Sequence, residues 1–257
     1  MVEISSVTVT YNRPEAIREC VRSLKTQTLD DDEYEIIVIN QGDDDLQLDV
    51  DKYIDAEDEG VSYGRNLGIE EAEGDIIAFV DDDCVPHEDW LEKGLKEIKK
   101  QNAEGIEGCI RDDSGHLGVY QNDDLRGYVT ANIIYKKNAL EEVGCFDKRF
   151  NPLYREDTDL AWKILENGGS IEFSEDVVVF HQPEEDSTRD WKKNRFDVLL
   201  YDKHPEKFSK FVENYAIREL PIVFLGWIYG CLQFKKPPTI FLHCYKPFLR
   251  KMREMKD

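Results

Sequence analysis

No two of the six cysteines, Cys20, Cys84, Cys109, Cys145, Cys231 and Cys244, stand in a CxxC pair. Most have apolar neighbours, so neither a zinc-ligand set nor a disulfide frame is indicated, and they read as reduced core thiols. Basic residues are scarce: 33 Lys and Arg stand against 55 Asp and Glu, a formal charge of −22. Such an acidic body repels nucleic-acid phosphates, and no nucleic-acid-binding module is recognisable. No apolar run reaches the length of a comfortable membrane span; the longest, Leu220 to Phe234, is broken by Pro221 and two glycines. No amino-terminal signal pattern is visible, since Met1 runs through Glu3 straight into a strand-like segment, and the expected location is the cytoplasm. Internal repeats and low-complexity linkers are absent as well. What remains, 34% charged and 40% apolar residues over 257 positions, suits a globular chain with a sizeable core in one large domain or two packed lobes.

The negative charge is unevenly spread. From Ser187 onward there are 15 Lys and Arg against 8 Asp and Glu, which leaves 18 basic against 47 acidic residues before it. This basic segment contains the apolar Leu220 to Phe234 run and then Lys235, Lys236, Lys246, Arg250, Lys251 and Arg253. Two readings stay open. The segment could dock peripherally on an anionic membrane surface, or form a helical subdomain packed on the core or on a second subunit of a homo-oligomer.

Along the chain, strand-like and helical patterns alternate. Val7 to Thr10 is β-branched, and Asn12-Arg13-Pro14 supplies a helix start with proline in the first turn. Ile17, Cys20, Val21 and Leu24 then fall at the i, i+3, i+4, i+7 spacing of one buried helix face. Glu35 to Ile39 reads as a second strand ended by the Asn40-Gln41-Gly42 turn. A short strand near Tyr53-Ile54, a helix from Ser62 to Ala72 and a strand from Ile76 follow. Alternation of this kind predicts an α/β fold with a mostly parallel sheet covered on both faces. Glu88 to Lys100 reads as a surface helix, with Glu92 and Lys96 as a supporting pair. From Gly105 the pattern becomes mixed: strands at Gly108 to Arg111 and Ala131 to Lys136, a loop rich in Asp, Asn and Gly, and a helix from Asn138 to Val143. The expected division is 1–110, 111–186 on the same continuous sheet, and a helical extension over 187–257.

Three constellations carry chemistry. Ile76 to Val80 runs directly into Asp81-Asp82-Asp83, three adjacent carboxylates that repel one another unless a cation neutralises them. Such a cluster is either a solvated turn or a site for a hard divalent ion, Mg²⁺ or Mn²⁺, with open positions for phosphate. The second is Glu156-Asp157-Thr158-Asp159 ahead of an apolar helical run. It reads as a helix cap, or as a carboxylate facing a cleft and able to act as a general base. The third is His181, which closes the strand-like Val177 to Phe180 and is either structural or, if that strand end shares a rim with the triplet, a neighbour of the metal or a phosphate.

Val7 to Thr28, Glu35 to Gly42, Gly60 to Asp83 and Glu156 through His181, in that order, resemble family 2 of the nucleotide-sugar glycosyltransferases, which have the GT-A fold. The resemblance implies that Thr10, Tyr11, Asn12, Arg13 and Asn40 border the nucleotide and that Arg65 approaches the base or the pyrophosphate. It implies Asp81 and Asp83 as the outer members of a DXD motif, with Asp83 on the metal, Asp81 on ribose or metal, and Asp82 as the member that best tolerates replacement. His181 would be a further metal neighbour. Asp157, beside Glu156, would be the catalytic base of an inverting transfer from a nucleoside diphosphate sugar to a glycan or lipid-linked acceptor. Where the family carries an Asp-Asp/Asn-Gly-Ser turn, this chain has Asn40-Gln41-Gly42-Asp43, and an asparagine both accepts and donates, which leaves the base preference open. Two other readings are a nucleotidyltransferase, which lacks its usual glycine-rich basic loop here, and a non-catalytic nucleotide-sugar-binding protein.

Overall fold

The β-branched run that opens the chain forms β1 (Ile4–Thr10), in which every residue but Val9 is buried. Pro14 then starts α1 (Pro14–Leu24), whose buried face is the expected Ile17, Cys20, Val21 and Leu24. β2 (Tyr34–Asn40) is buried along its whole length, as befits an inner strand of a sheet covered on both sides. β3 (Lys52–Asp55), α2 (Val61–Glu71), β4 (Ile76–Phe79), β5 (Cys84–Pro86) and α3 (Trp90–Gln101) follow. The second half supplies β6 (Gly105–Arg111), β7 (Ile133–Lys136), α4 (Lys137–Glu142), α5 (Glu156–Glu166) and β8 (Ile171–His181). These elements come from a computed structural model that describes residues 1–112, 127–151, 154–181, 191–212 and 220–236.

One eight-stranded sheet, in the order β3-β2-β1-β4-β7-β6-β8-β5, runs through both halves. Four of its seven pairings are parallel and three antiparallel, all three of the latter involving strands of the second half. Strand alternation divides the core into two layers. Ile76 and Ala78 of β4 pack with the buried residues of α1 and α3, whereas Ile77 and Phe79 pack with Ile69 of α2, Leu140 of α4 and Leu160, Ala161 and Ile164 of α5. Burial of each such side chain contributes about 1.5–3 kcal/mol.

Several expectations are corrected. Ala131 lies in a short 3-10 turn (Thr130–Asn132) and not in β7. β8 begins at Ile171, earlier than its apolar end suggested. β5 had no signal at all: three residues are too short for a periodicity, and its Pro86 is tolerated because the strand lies at the sheet edge. On α3 the Glu92 carboxylate accepts from the Thr28 hydroxyl at 2.7 Å. The i,i+4 ion pair at this helix is Asp89 with Lys93 at 2.8 Å. None of the five described cysteines is in a disulfide.

The residues described from 191 onward form a second compact unit. A 3-10 turn (Trp191–Arg195) leads into α6 (Phe196–Lys203), α7 (Pro205–Val212) and α8 (Leu220–Gln233). Its core joins Phe196, Phe208 and Trp227, with the last two rings 6.2 Å apart. Among the described residues no helix is long and apolar enough to cross a membrane. Lys246, Arg250, Lys251 and Arg253, and the 113–126 part of the Asp112-to-Gly127 loop, lie outside the described residues.

Candidate active site

The parallel strands β1, β2 and β4 end on one rim of the sheet, the usual place for ligands in open α/β folds. Thr10 is level with Asn40 and Val7 with Phe79, which brings the triplet just beyond β4 onto that rim. β8 runs in the same direction, because it is parallel to β6 while β6 and β4 both pair antiparallel with β7. His181, at the end of β8, therefore reaches the same rim. β5 completes the approach by pairing Cys84 opposite His181. The imidazole Nε2 lies 3.4 Å from Asp83 Oδ1.

The three carboxylates have three different environments. Asp81, with about a third of its side chain exposed, accepts from Arg65 Nη2 at 3.0 Å. Asp82 is buried; it accepts from the Thr10 hydroxyl at 2.7 Å and from Arg13 Nη1 at 3.3 Å. Burial pushes its carboxyl above the ordinary value, against the pull of Thr10 and Arg13. Asp83 accepts from Arg13 Nη1 at 2.7 Å. Burial opposes its charge too, but the hydrogen bond and charge of His181, together with Arg13, hold its carboxyl below the usual range.

Asp83, Cys84 and His181 each present a ligand atom, and these atoms all lie within 4.8 Å of one another. The Asp83 carboxylate, kept ionised, suits Mg²⁺ or Mn²⁺, whereas the His181 imidazole is a softer ligand. The thiol suits them less: burial, then the charges of Asp81 and Asp83, push it far up, so the sulfur stays protonated. Asp81 falls outside this group, its carboxylate being engaged by Arg65. Cys84 is a neighbour the sequence did not single out, though it adjoins the triplet.

The second acidic cluster is delivered to the same rim by α5. Arg155, which precedes the helix, has φ 75°, the left-handed region in which a residue other than glycine costs about 1–3 kcal/mol. This sharp entry turns Glu156 inward, where it is buried and accepts from Arg65 Nη1 at 2.9 Å. Arg65 on α2 is itself 3% exposed, with its guanidinium 5.5 Å from the Phe146 ring centre. One planar fork therefore ties the triplet to the Glu156-Asp157 pair. Asp157 is half-buried, and its Oδ1 accepts from the Thr158 amide at 2.7 Å. Burial and then the adjacent Glu156 push its carboxyl up to about 8, outweighing Arg65 and the Thr158 hydrogen bond.

The residues expected around the nucleotide divide into two groups. Tyr11 is 53% exposed beyond β1, and Arg13 is half-exposed. Asn12, at φ 52°, accepts through Oδ1 from the Asp43 amide at 3.0 Å. Thr10 and Asn40 do not offer free polar groups: both are buried, and the Thr10 hydroxyl is engaged by Asp82. Asn40 Nδ2 donates to Gly42 O, Asp44 O and Asp55 Oδ1, while its Oδ1 accepts from the Gly42 amide. Both side chains are engaged within the protein, which a position at a strand end does not reveal.

A model of the family described as glycosyl transferase family 2 matches residues 5–162. Among curated proteins, glycosyltransferase AglE of Haloferax volcanii is 25% identical over 203 residues, 69% of this chain and 66% of AglE. The putative glycosyltransferase EpsH of Bacillus subtilis is 37% identical over 167 residues, 54% of this chain and 48% of EpsH. This chain thus spans less than two thirds of either relative's length. Among solved structures, S. aureus TarS 1-349 superposes with a TM-score of 0.65 at 19% identity, covering 89% of this chain and 79% of that one. The same fragment in complex with UDP-GlcNAc gives 0.63 at 18% identity, covering 88% and 79%.

Proposed function

We propose a sugar-transfer reaction from one premise: this chain belongs to glycosyl transferase family 2 and has the GT-A fold. The donor is a nucleoside diphosphate sugar and the acceptor a hydroxyl of a glycan or of a lipid-linked saccharide. Transfer is a single displacement that inverts the anomeric centre. The observation that carries this reading is the Arg65 fork, which holds Glu156, beside Asp157, at 2.9 Å and Asp81, at the head of the triplet, at 3.0 Å. A base and a phosphate-side cluster are thereby kept at one rim.

Asp157 takes the proton of the acceptor hydroxyl as that oxygen bonds to the anomeric carbon. The bond from that carbon to the diphosphate breaks, and its electron pair leaves with the phosphate. One carboxylate is sufficient because a diphosphate is already a good leaving group, in contrast to glycosidases, which flank the bond with two. The raised proton affinity of Asp157 makes it the stronger base once ionised. Glu156 braces the site: one oxygen is held by Arg65, while Oε2 is buried with no hydrogen-bond partner. A Mg²⁺ or Mn²⁺ ion on Asp83 and His181 would neutralise charge developing on the departing diphosphate. Arg13 adds its half-exposed guanidinium on the same side, and the exposed Tyr11 ring provides a face on which a base can stack. TarS was crystallised with UDP-GlcNAc, so uridine diphosphate sugars head the donor panel.

The basic, apolar segment after Ser187 favours action beside an anionic membrane surface, with a lipid-linked acceptor presented there. The decisive experiment replaces the base. Asp157→Asn abolishes transfer while Mn²⁺-dependent binding of the nucleotide stays near the wild-type level; equal loss of both removes Asp157 from the role of base.

A further inference from the structure

α8 has two apolar faces. One is buried in its own unit: Trp227 is 3% and Cys231 5% exposed, and the indole Nε1 donates to Asp197 Oδ2 at 3.0 Å. Gly230 on this face approaches so closely that a Cβ would lie 2.5 Å from the Arg195 carbonyl oxygen. The second face points outward. Leu225, Ile228, Tyr229 and Leu232 are 54%, 40%, 41% and 75% exposed, and their spacing of three, four and seven residues aligns them in one stripe. Scattered exposed apolar residues are ordinary, but a contiguous stripe marks a surface that something covers. A helix of 14 residues is about 21 Å long, too short to cross a bilayer yet long enough to lie in its interface.

Charge indicates the partner. Lys235 and Lys236 follow at the end of α8, and from Lys235 onward the sequence has seven Lys and Arg against two Asp and Glu. Lys236 pairs with Asp202 at 2.7 Å, while Lys235 is exposed. A second copy of this chain would set the same positive charge against itself. An anionic bilayer meets both requirements, with the acyl boundary for the stripe and acidic headgroups for the basic flank. The amphipathic ring of Tyr229 suits the level between them.

We propose that the outward stripe of α8, Leu225, Ile228, Tyr229 and Leu232, is an in-plane docking face for an anionic lipid bilayer. This rests on the membrane-surface reading given above and is independent of the sugar-transfer chemistry.

The test floats the full chain with phosphatidylcholine vesicles in which about a third of the lipid is phosphatidylglycerol, and with phosphatidylcholine alone. Wild type floats with the anionic vesicles and stays behind with the neutral ones. Ile228→Glu and Leu232→Glu each lower partitioning about tenfold or more, because each withdraws one large apolar side chain from the interface. Lys235→Glu lowers it about fivefold for each unit of charge changed. Tyr229→Trp, which adds no charge, gives fluorescence quenched by lipids brominated in the acyl chain. Equal flotation of the Glu variants, equal binding to neutral vesicles, or a solution dimer that Leu232→Glu dissociates would each overturn the proposal. Turnover of a nucleoside diphosphate sugar with a water-soluble acceptor is measured in parallel. Turnover without flotation overturns the docking face alone, and flotation without turnover overturns the transferase reading alone.

Discussion

Arg65 Nη1 lies 2.9 Å from Glu156 Oε1, both side chains are almost fully buried, and the two residues are 91 positions apart in the chain. The second arm of the guanidinium holds Asp81 at 3.0 Å. Burial opposes the Arg65 charge, but the carboxylates around it more than offset that cost and keep the group protonated. A guanidinium can serve two carboxylates at fixed angles; an ammonium is a point charge and cannot. Arg65→Lys is therefore expected to stay folded and to lose transfer on the order of a hundredfold, since small displacements of a catalytic frame cost about that much. Arg65→Ala leaves Glu156 buried without its cation and lowers unfolding free energy by about 3–5 kcal/mol. Urea unfolding and turnover measured on both variants check this.

Asp82 and Asp83 are expected to separate stability from ion binding. Asp82→Ala strands the buried Thr10 hydroxyl and removes a partner of Arg13, which lowers stability by about 1–3 kcal/mol. Asp82, which the family resemblance alone marks as the most replaceable member, is on this expectation one that folding needs. Asp83→Asn is expected to weaken Mn²⁺ binding at least tenfold, since loss of even an outer-shell partner costs about that much, with a smaller change in melting temperature. Calorimetric titration and thermal denaturation of the two variants decide it.

Asp157 is expected to limit activity at acid pH. Its carboxyl is pushed up to about 8 by burial and by Glu156, so the base form becomes available only as pH rises through that region. kcat/KM, which reports the free protein, should climb through an acid limb well above the ordinary carboxylate range. A limb near 4 would show that Asp157 is not the titrating base.

The same shift has an opposite consequence for stability. Below about 3.8 both folded and unfolded chains carry the proton, and Asp157 contributes nothing. As pH rises from there, the unfolded chain releases the proton while the folded one retains it, so the folded state loses stability up to about 8 and the loss then levels off. Asp157→Asn removes this term. In the metal-free protein it should raise the melting temperature, and more at pH above 8 than at pH near 5.

Much of the fold was legible because it depends on local periodicity. Ile17, Cys20, Val21 and Leu24 mark a helix face wherever the helix packs, and Ile76 to Phe79 reads as an inner strand because both of its faces are apolar. Boundaries and short elements were less legible. β5 has three residues and a proline, and its existence depends on a pairing with β8 that lies far along the chain. In place of the expected Glu92-Lys96 pair, Glu92 accepts from Thr28, in the loop after α1 and far from it in sequence. For Thr10 and Asn40, proximity to a strand end placed them near the site, but only the packing determined that their polar atoms are already satisfied.

Pattern alone located the chemical groups at strand ends and at the start of α5, namely three adjacent carboxylates, a histidine and a Glu-Asp pair; Arg65 came only from the family resemblance. Those positions follow from hydrophobic period and local charge, which act over a few residues. How the groups are shared depends on long-range packing. The order β4-β7-β6-β8-β5 brings His181 to Asp83, and the left-handed entry at Arg155 turns Glu156 towards Arg65. Three like charges that are equivalent in sequence become inequivalent once each meets a different set of partners, Arg65 for Asp81, Thr10 and Arg13 for Asp82, Arg13 and His181 for Asp83, because electrostatic energy in a buried setting depends on distance and solvent access rather than on order along the chain.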